Sequence, residues 1–512
     1  MKEFQEQEYN QRFDLGLWKK LFKYMKPYKK EVIFLAFVMI GVGGIDALFP
    51  YMTAQAIDRF VVPNTTEGLG GFALIFGLMV TLQAVNVWFL IDIAGKLETH
   101  MAYDIRKIGF KRLQELSFSY YDQTPVGWLM ARMTSDIKRL GQVISWSLVD
   151  FVWGIAMMLG IVGIMFYLNW KLALITLVVV PVLGVISLYF QKKILKSYRK
   201  VRKVNSRITG SFNEGIMGAR TTKTLVREEE NLNEFKNLTD KMRQSSIRAA
   251  IFSSLFLPIV LTLGSVGTAL ALWRGGNAVI AGTITYGVLV AFINYTIRFF
   301  EPISQLARIF AEMQSAQASA ERTLSMIDTE PEIQDTEQVI ELYGDNLNPK
   351  RENWPSLKGS ITFKNVDFAY KEGEKILENF NLDIKKGQSI ALVGETGSGK
   401  STLVNLACRF YEPTGGQILI DGVDYRERSQ LWLHENVGYV LQTPHLFSGT
   451  IKENIRYGRL DASELDIIRA AKLVNAHQFI KKLEDGYDTE VGEGGSKLST
   501  GEKQLISFAR AV

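Results

Sequence analysis

The chain has 512 residues, 47% hydrophobic and 22% charged, with 59 Lys and Arg against 53 Asp and Glu and a net charge of +6. That length excludes a single compact domain and calls for two or more. The basic surplus does not point to nucleic acid, because Lys and Arg cluster beside apolar runs, as in the cytoplasmic loops of membrane proteins. The single cysteine, Cys408, excludes an intrachain disulfide and fits a soluble part kept in a reducing compartment.

The average composition conceals a split. Before about residue 305 the chain has long stretches almost free of charge; beyond it the sequence reads as an ordinary soluble α/β protein. Residues 1–9 are polar and acidic, which is not the pattern of a signal peptide. Residues 1–30 form the first segment. Its Leu17, Trp18, Leu21, Phe22 and Met25 recur at helical spacing among Lys19, Lys20, Lys23, Lys26, Lys29 and Lys30, so it reads as an amphipathic helix lying on membrane lipid.

Residues 31–319 read as an all-α membrane domain. Six apolar stretches, at about 31–55, 71–95, 142–168, 171–191, 251–273 and 281–301, reach the ~20 residues that cross a bilayer core. Asp46, Asp92 and Asp150 fall within spans, and only Asp46 is far from a span end. The connections 96–141 and 192–250 are long and rich in Lys and Arg, whereas 56–70, Asn169-Trp170 and 274–281 are short or weakly charged. Both termini and both long connections are therefore cytoplasmic. The long connections lack the Gly and Pro of disordered linkers, so spans two to five are expected to continue as helices beyond the bilayer.

A linker is expected at 320–356, acidic and with Pro331, Pro349 and Pro355, followed by an α/β domain over 357–512. Gly359 to Phe363 and Val366 to Tyr370 alternate as antiparallel strands do. Gly394-Glu395-Thr396-Gly397-Ser398-Gly399-Lys400-Ser401 fits G-x-x-x-x-G-K-[ST] at every fixed position. Ser389 to Val393 reads as the buried strand entering this loop and Thr402 to Ala407 as the helix leaving it. In such a loop the backbone N–H groups cradle phosphates, Lys400 reaches the β- and γ-phosphates of ATP, and the Ser401 hydroxyl ligates Mg²⁺. The chain therefore binds a nucleoside triphosphate.

Phe118 to Leu129, continuing through Ala131-Arg132 to Ser135-Asp136, resembles the first intracellular turn of the ATP-binding-cassette exporters. Asn213-Glu214-Gly215 with Gly218 and Thr222-Lys223 resembles their second coupling turn. The soluble half resembles the family's nucleotide-binding domain in one motif after another. The resemblance implies a six-span half-transporter that dimerises. It implies that Tyr370 stacks on adenine beside the loop from Gly394 to Thr402. It also implies that Gln442, ending a strand Val440-Leu441-Gln442, contacts Mg²⁺ and the attacking water. Val491 to Gly495 looks like a loop lying near the coupling helices. Leu498-Ser499-Thr500-Gly501-Glu502 is similar to the family's Leu-Ser-Gly-Gly-Gln, with Thr500 for Gly and Glu502 for Gln; Ser499 and Gly501 would meet a γ-phosphate held by the opposite chain. Those departures favour a heterodimer with a second half-transporter over a homodimer.

The family's domain continues with a strand ending in Asp, a catalytic Glu and a switch His, none of which follows the signature helix here. The expectation is a C-terminally truncated chain that by itself binds ATP poorly and hardly hydrolyses it. The function assigned to the intact parent is ATP-dependent export of small hydrophobic compounds across a bacterial plasma membrane. A lipid or peptide exporter, or a nucleotide-regulated gating subunit on the same scaffold, are the alternatives.

Overall fold

The computed structural model describes residues 14–346, 348–370 and 374–512. The polar stretch 1–9 lies outside them. The chain divides into two compact units, residues 1–114 with 124–329, and residues 115–123 with 330–512.

Among the described residues, the regular elements of the first unit are all helices. α1 (Leu15–Lys23) starts at Asp14, whose carboxylate accepts from the N–H groups of Gly16 and Leu17 and so satisfies two orphan donors of the first turn. Its Trp18 and Leu21 are buried, as the helical spacing of its apolar residues requires. α2 (Lys29–Ala56), α3 (Leu69–Glu115), α5 (Val126–Ala131), α6 (Ile137–Leu177), α7 (Val179–Met217), α8 (Ala219–Thr224), α9 (Glu228–Ile280), α10 (Tyr286–Arg298) and α11 (Phe300–Asp328) follow, while α4 (Phe118–Gln123) belongs to the second unit. At 53 residues α9 is about 80 Å long, well beyond a bilayer core. The long connections are thus helical, broken only at short turns.

Among the described residues four stretches, Lys26–Val61, Leu69–Glu115, Val126–Leu177 and Glu228–Ile280, are long and apolar enough to cross a membrane. The segments expected as the fourth and sixth spans are each divided. α6 bends at Asn169, whose backbone is extended (φ −163°, ψ 104°), and ends at Val178; α10 has only 13 residues before the break at Phe299. Helix α11 also runs through the first nine residues of the segment expected as a linker.

Two close contacts lock this unit. Asp136 and Arg322 form a bidentate pair, with Arg322 Nε and Nη2 at 2.9 and 2.6 Å from the two carboxylate oxygens. Just beyond α2, in the helical turn Ile57–Val61, Asp58 accepts from the Gly287 N–H at 2.7 Å and from the Thr285 hydroxyl, so its carboxylate caps α10. A Cβ on Gly287 would lie 2.2 Å from the Ala54 carbonyl oxygen and 2.7 Å from the Asp58 carboxyl. Gly287→Ala is therefore expected to lower stability by about 1–3 kcal/mol. Gly77→Ala, whose Cβ meets nothing within 4 Å, should leave stability unchanged or raise it. Thermal melting of the two variants in detergent checks this.

The second unit carries α12 (Glu337–Tyr343), then β1 (Ile361–Ala369) and β2 (Lys375–Ile384), α13 (Lys400–Ala407), β3 (Gly415–Ile420) and β4 (Val423–Asp424). Helices α14 (Gln430–Glu435), α15 (Ile451–Arg456), α16 (Glu464–Leu473), α17 (His477–Ile480) and α18 (Thr500–Ala511) complete it. The strands form one antiparallel sheet in the order β2-β1-β3-β4. Positive φ at Asp421 and Gly422 places a turn between β3 and β4 where Asp-Gly predicts one, whereas Gly415 and Gly416 lie within β3, at a register shift against β1.

Two expected strands differ. Residues 389–393 and 440–442 are irregular, and Val393 is 90% exposed rather than buried. Neither segment has a ladder partner among the described residues, and without one a run of β-branched residues does not become a strand.

His434 on α14 is half-buried, with Nε2 2.9 Å from the Cys408 carbonyl oxygen. Burial pushes its pKa below the ordinary 6.5; the Cys408 contact opposes the shift, Arg409 adds to it and Asp335 opposes it. The folded protein then binds fewer protons than the unfolded chain, so stability is lost as pH falls below about 6.5 and is unaffected by this group above it. His434→Gln is expected to flatten that loss, read as the melting temperature between pH 7.5 and 5.5.

Candidate nucleotide site and its contact with the first intracellular turn

The phosphate loop folds as its glycines dictate. Gly397 and Gly399 have φ of 91° and 86°, conformations that side chains with a Cβ avoid. Gly399 is also packed tightly, since a Cβ there would lie 3.3 Å from Ile376 and Leu377 on β2. This places the loop at the N-terminus of α13, where the first N–H groups of a helix lack intrahelical partners.

Lys400 turns back over the loop. Its ammonium donates to the carbonyl oxygens of Gly394 and Glu395 at 2.8 and 2.6 Å and to Ser398 Oγ at 3.3 Å. Ser401 is exposed and its hydroxyl makes no hydrogen bond among the described residues. A lysine held by uncharged carbonyls, beside a free hydroxyl and a helix N-terminus, suits a triphosphate with a divalent cation: the phosphate oxygens replace weak neutral acceptors with charged ones.

Tyr370 is brought to this loop. Its hydroxyl is 3.1 Å from Thr402 Oγ1, and its ring stands edge-on to Tyr411 at 5.0 Å. The Tyr411 hydroxyl in turn donates to the Asp122 carboxylate, and burial followed by that bond pushes the Tyr411 pKa up. Phe118 packs on Phe410 with ring centroids 4.4 Å apart. Residues 115–123, from the first intracellular turn, are thereby part of the same compact unit as the phosphate loop. The path Asp122–Tyr411–Tyr370–Thr402 is continuous. Motif reading singled out Asp122, Tyr370 and Thr402 but missed Tyr411, because an aromatic after a helix carries no periodic signal.

Gln442 is exposed, and no hydrogen bond joins it to Ser401 or Lys400 among the described residues. Ser499 and Gly501 stand at the start of α18, and no hydrogen bond among the described residues joins them to the phosphate loop. Ser499 is its N-cap and Glu502 its N3 residue in a reciprocal capping box. Glu502 Oε2 accepts from the Ser499 N–H and hydroxyl, both at 2.8 Å. The carboxylate therefore turns back onto its own helix.

Comparison with known proteins then decides the family. The family described as the ABC transporter transmembrane region matches residues 32–303, and the family described as ABC transporter matches 377–512. The chain belongs to the ABC transporters. It is 35% identical to the uncharacterized ABC transporter ATP-binding protein YknV of Bacillus subtilis, over 97% of this chain and 80% of that protein. It is 32% identical to the ATP-dependent lipid A-core flippase of Syntrophus aciditrophicus, over 99% of this chain and 82% of that one. This transporter is accordingly an ATP-binding exporter of the cell membrane, a transport ATPase with helical membrane and nucleotide-binding domains on one chain.

Proposed function

We propose that this chain is one subunit of a heterodimeric exporter of small hydrophobic compounds, using Mg²⁺-ATP. Lys400 and the loop from Gly394 to Thr402 hold the phosphates, Ser401 and Gln442 serve Mg²⁺, Gln442 also positions the attacking water, and Tyr370 stacks on adenine. Dimerisation is supported by the tip between α7 and α9, where Ile216, Met217, Leu225 and Val226 are 72%, 81%, 63% and 84% exposed. So apolar a tip is what a partner would cover.

The observation that carries the heterodimer is the Glu502 carboxylate at the N-terminus of α18. The Ser499 hydroxyl proton is spent on Glu502, so it is not available to a phosphate. Glu502 adds a negative charge at the helix end where the partner's γ-phosphate would dock, and two like charges ~4 Å apart near a surface repel by roughly 1–4 kcal/mol. The partner's phosphate loop against this signature is then the slow site, and this chain's own loop against a normal signature is the fast one.

Glu502→Gln keeps the cap, because an amide serves N3 as well as a carboxylate does. It is expected to raise hydrolysis at the slow site by about 5-fold or more, as removal of ~1 kcal/mol of repulsion implies. Single-turnover hydrolysis in the purified complex reads it. A homodimer of this chain, purified without a second subunit and hydrolysing equally at both sites, overturns the proposal. A lipid substrate is the second reading, favoured by the flippase relative. ATP-driven accumulation of a neutral hydrophobic dye against a fluorescent phospholipid separates the two.

A further inference from the structure

One carboxylate stands in the apolar middle of a helix, and two other helices converge on it. Asp46 lies on α2 between the buried Ile45 and Ala47. Gln83 of α3 donates from Nε2 to its Oδ1 at 3.0 Å, and Trp153 of α6 donates from Nε1 to its Oδ2 at 2.9 Å. Gly43 makes this approach possible: a Cβ there would lie 2.9 Å from the Met157 nitrogen and 3.0 Å from the Trp153 carbonyl oxygen.

Both donors are neutral. No lysine or arginine forms an ion pair with Asp46 among the described residues, and Arg298 acts on it only at longer range. A carboxylate offers about four acceptor positions, of which two are taken. Gln83 Oε1, on the same amide, is buried and has no hydrogen-bond partner among the described residues. The cluster therefore has a surplus of acceptors and an uncompensated negative charge in an apolar surrounding, which is costly unless something pays for it. Its chemical complement is a cation that carries N–H groups. One turn along α2 and two along α3, Phe49 and Phe76 meet edge to face at 5.9 Å, offering aromatic surface to an apolar body.

We infer that Asp46 and Gln83 bind the protonated amine of a hydrophobic compound. This rests on the export reading above and narrows its substrates to amphiphilic amines.

The test is equilibrium binding to the full chain in lipid nanodiscs, without nucleotide, using N-octylbenzylamine and its neutral counterpart, octyl benzyl ether. The wild-type protein is expected to hold the amine about 10-fold or more tighter than the ether, a difference of ~1.4 kcal/mol. Asp46→Asn should abolish that preference and leave ether binding unchanged. Gln83→Leu keeps the Asp46–Trp153 bond while removing the orphan acceptor, and should cut the preference about 3-fold; it carries the test if Asp46→Asn does not fold. Equal affinity for the two compounds in the wild type overturns the inference. So does a preference that survives in both variants, which would make Asp46 only a tie between helices. An intact amine preference without ATP-driven uptake in proteoliposomes sinks the export reading and leaves this inference standing.

Discussion

Replacing Lys400 with alanine is expected to lower ATP turnover by about 100-fold or more, with the protein still folded. The lysine's three donors now rest on two carbonyl oxygens and a hydroxyl of the loop, all uncharged acceptors. On binding they would pass to phosphate oxygens, where hydrogen bonds between charged groups are roughly twice as strong as neutral ones. Much of that gain comes as charge moves off the γ-phosphoryl group, so the loss should fall on turnover more than on affinity. Loss of one such preorganised donor typically costs about 100- to 1,000-fold. The folded core should be indifferent, because the ammonium of Lys400 bonds only to atoms of the phosphate loop among the described residues. Photolabelling with an azido-ATP, together with steady-state ATPase of the purified transporter, separates the two effects. A variant that keeps wild-type turnover would remove Lys400 from the site.

Asp335→Asn is expected to destabilise the nucleotide-binding unit by about 3–5 kcal/mol without touching the phosphate loop. Arg409, whose side chain is 1% exposed, donates from Nη1 to Asp335 at 2.8 Å and from Nε to Glu412 at 2.8 Å. Asp335 also accepts from the Gln430 N–H, so it ties the start of α14 to the same guanidinium. Removing one carboxylate leaves a buried cation short of its counter-charge, and breaking one side of a buried pair costs more than the pair contributes intact. Glu412 and the carbonyl oxygens of Tyr425 and Arg428 soften the loss, which places it at the lower end of that range. The result would be a lowered denaturant midpoint and early melting, with nucleotide affinity preserved while the unit stays folded. A double change, Asp335→Asn with Arg409→Met, should recover much of the stability, because the uncompensated charge is gone.

Much of the site was legible beforehand because its chemistry lives in short, local patterns. Glycines at loop positions that need positive φ, a lysine and a serine at a set distance, and a helix after them are all encoded within a dozen residues. The helical connections were legible for a similar reason: continuous helix formers without breakers extend a span that the bilayer has already nucleated.

Other features were not legible because they depend on what meets what. Glu502 could face a partner's phosphate or turn back as a first-turn helix acid, and its carboxylate closes a capping box, since the nearest unsatisfied N–H groups are its own helix's. Asp335 sat in a stretch that composition marked as a linker, and it became a counter-ion only when folding buried Arg409 beside it. Residues 389–393 carry the composition of a buried strand, and no neighbouring strand among the described residues pairs with them.

The sequence by itself determined that this chain crosses a membrane, binds ATP and belongs with the exporters, because apolar length and the phosphate loop act locally and need no partner. Only the tertiary structure decided that Tyr411 joins Asp122 to Tyr370, that Asp58 caps α10, and that Asp46 sits between Gln83 and Trp153. Each of those contacts spans at least 37 residues of chain, and hydrogen bonds between such distant residues exist only once packing has brought their helices together.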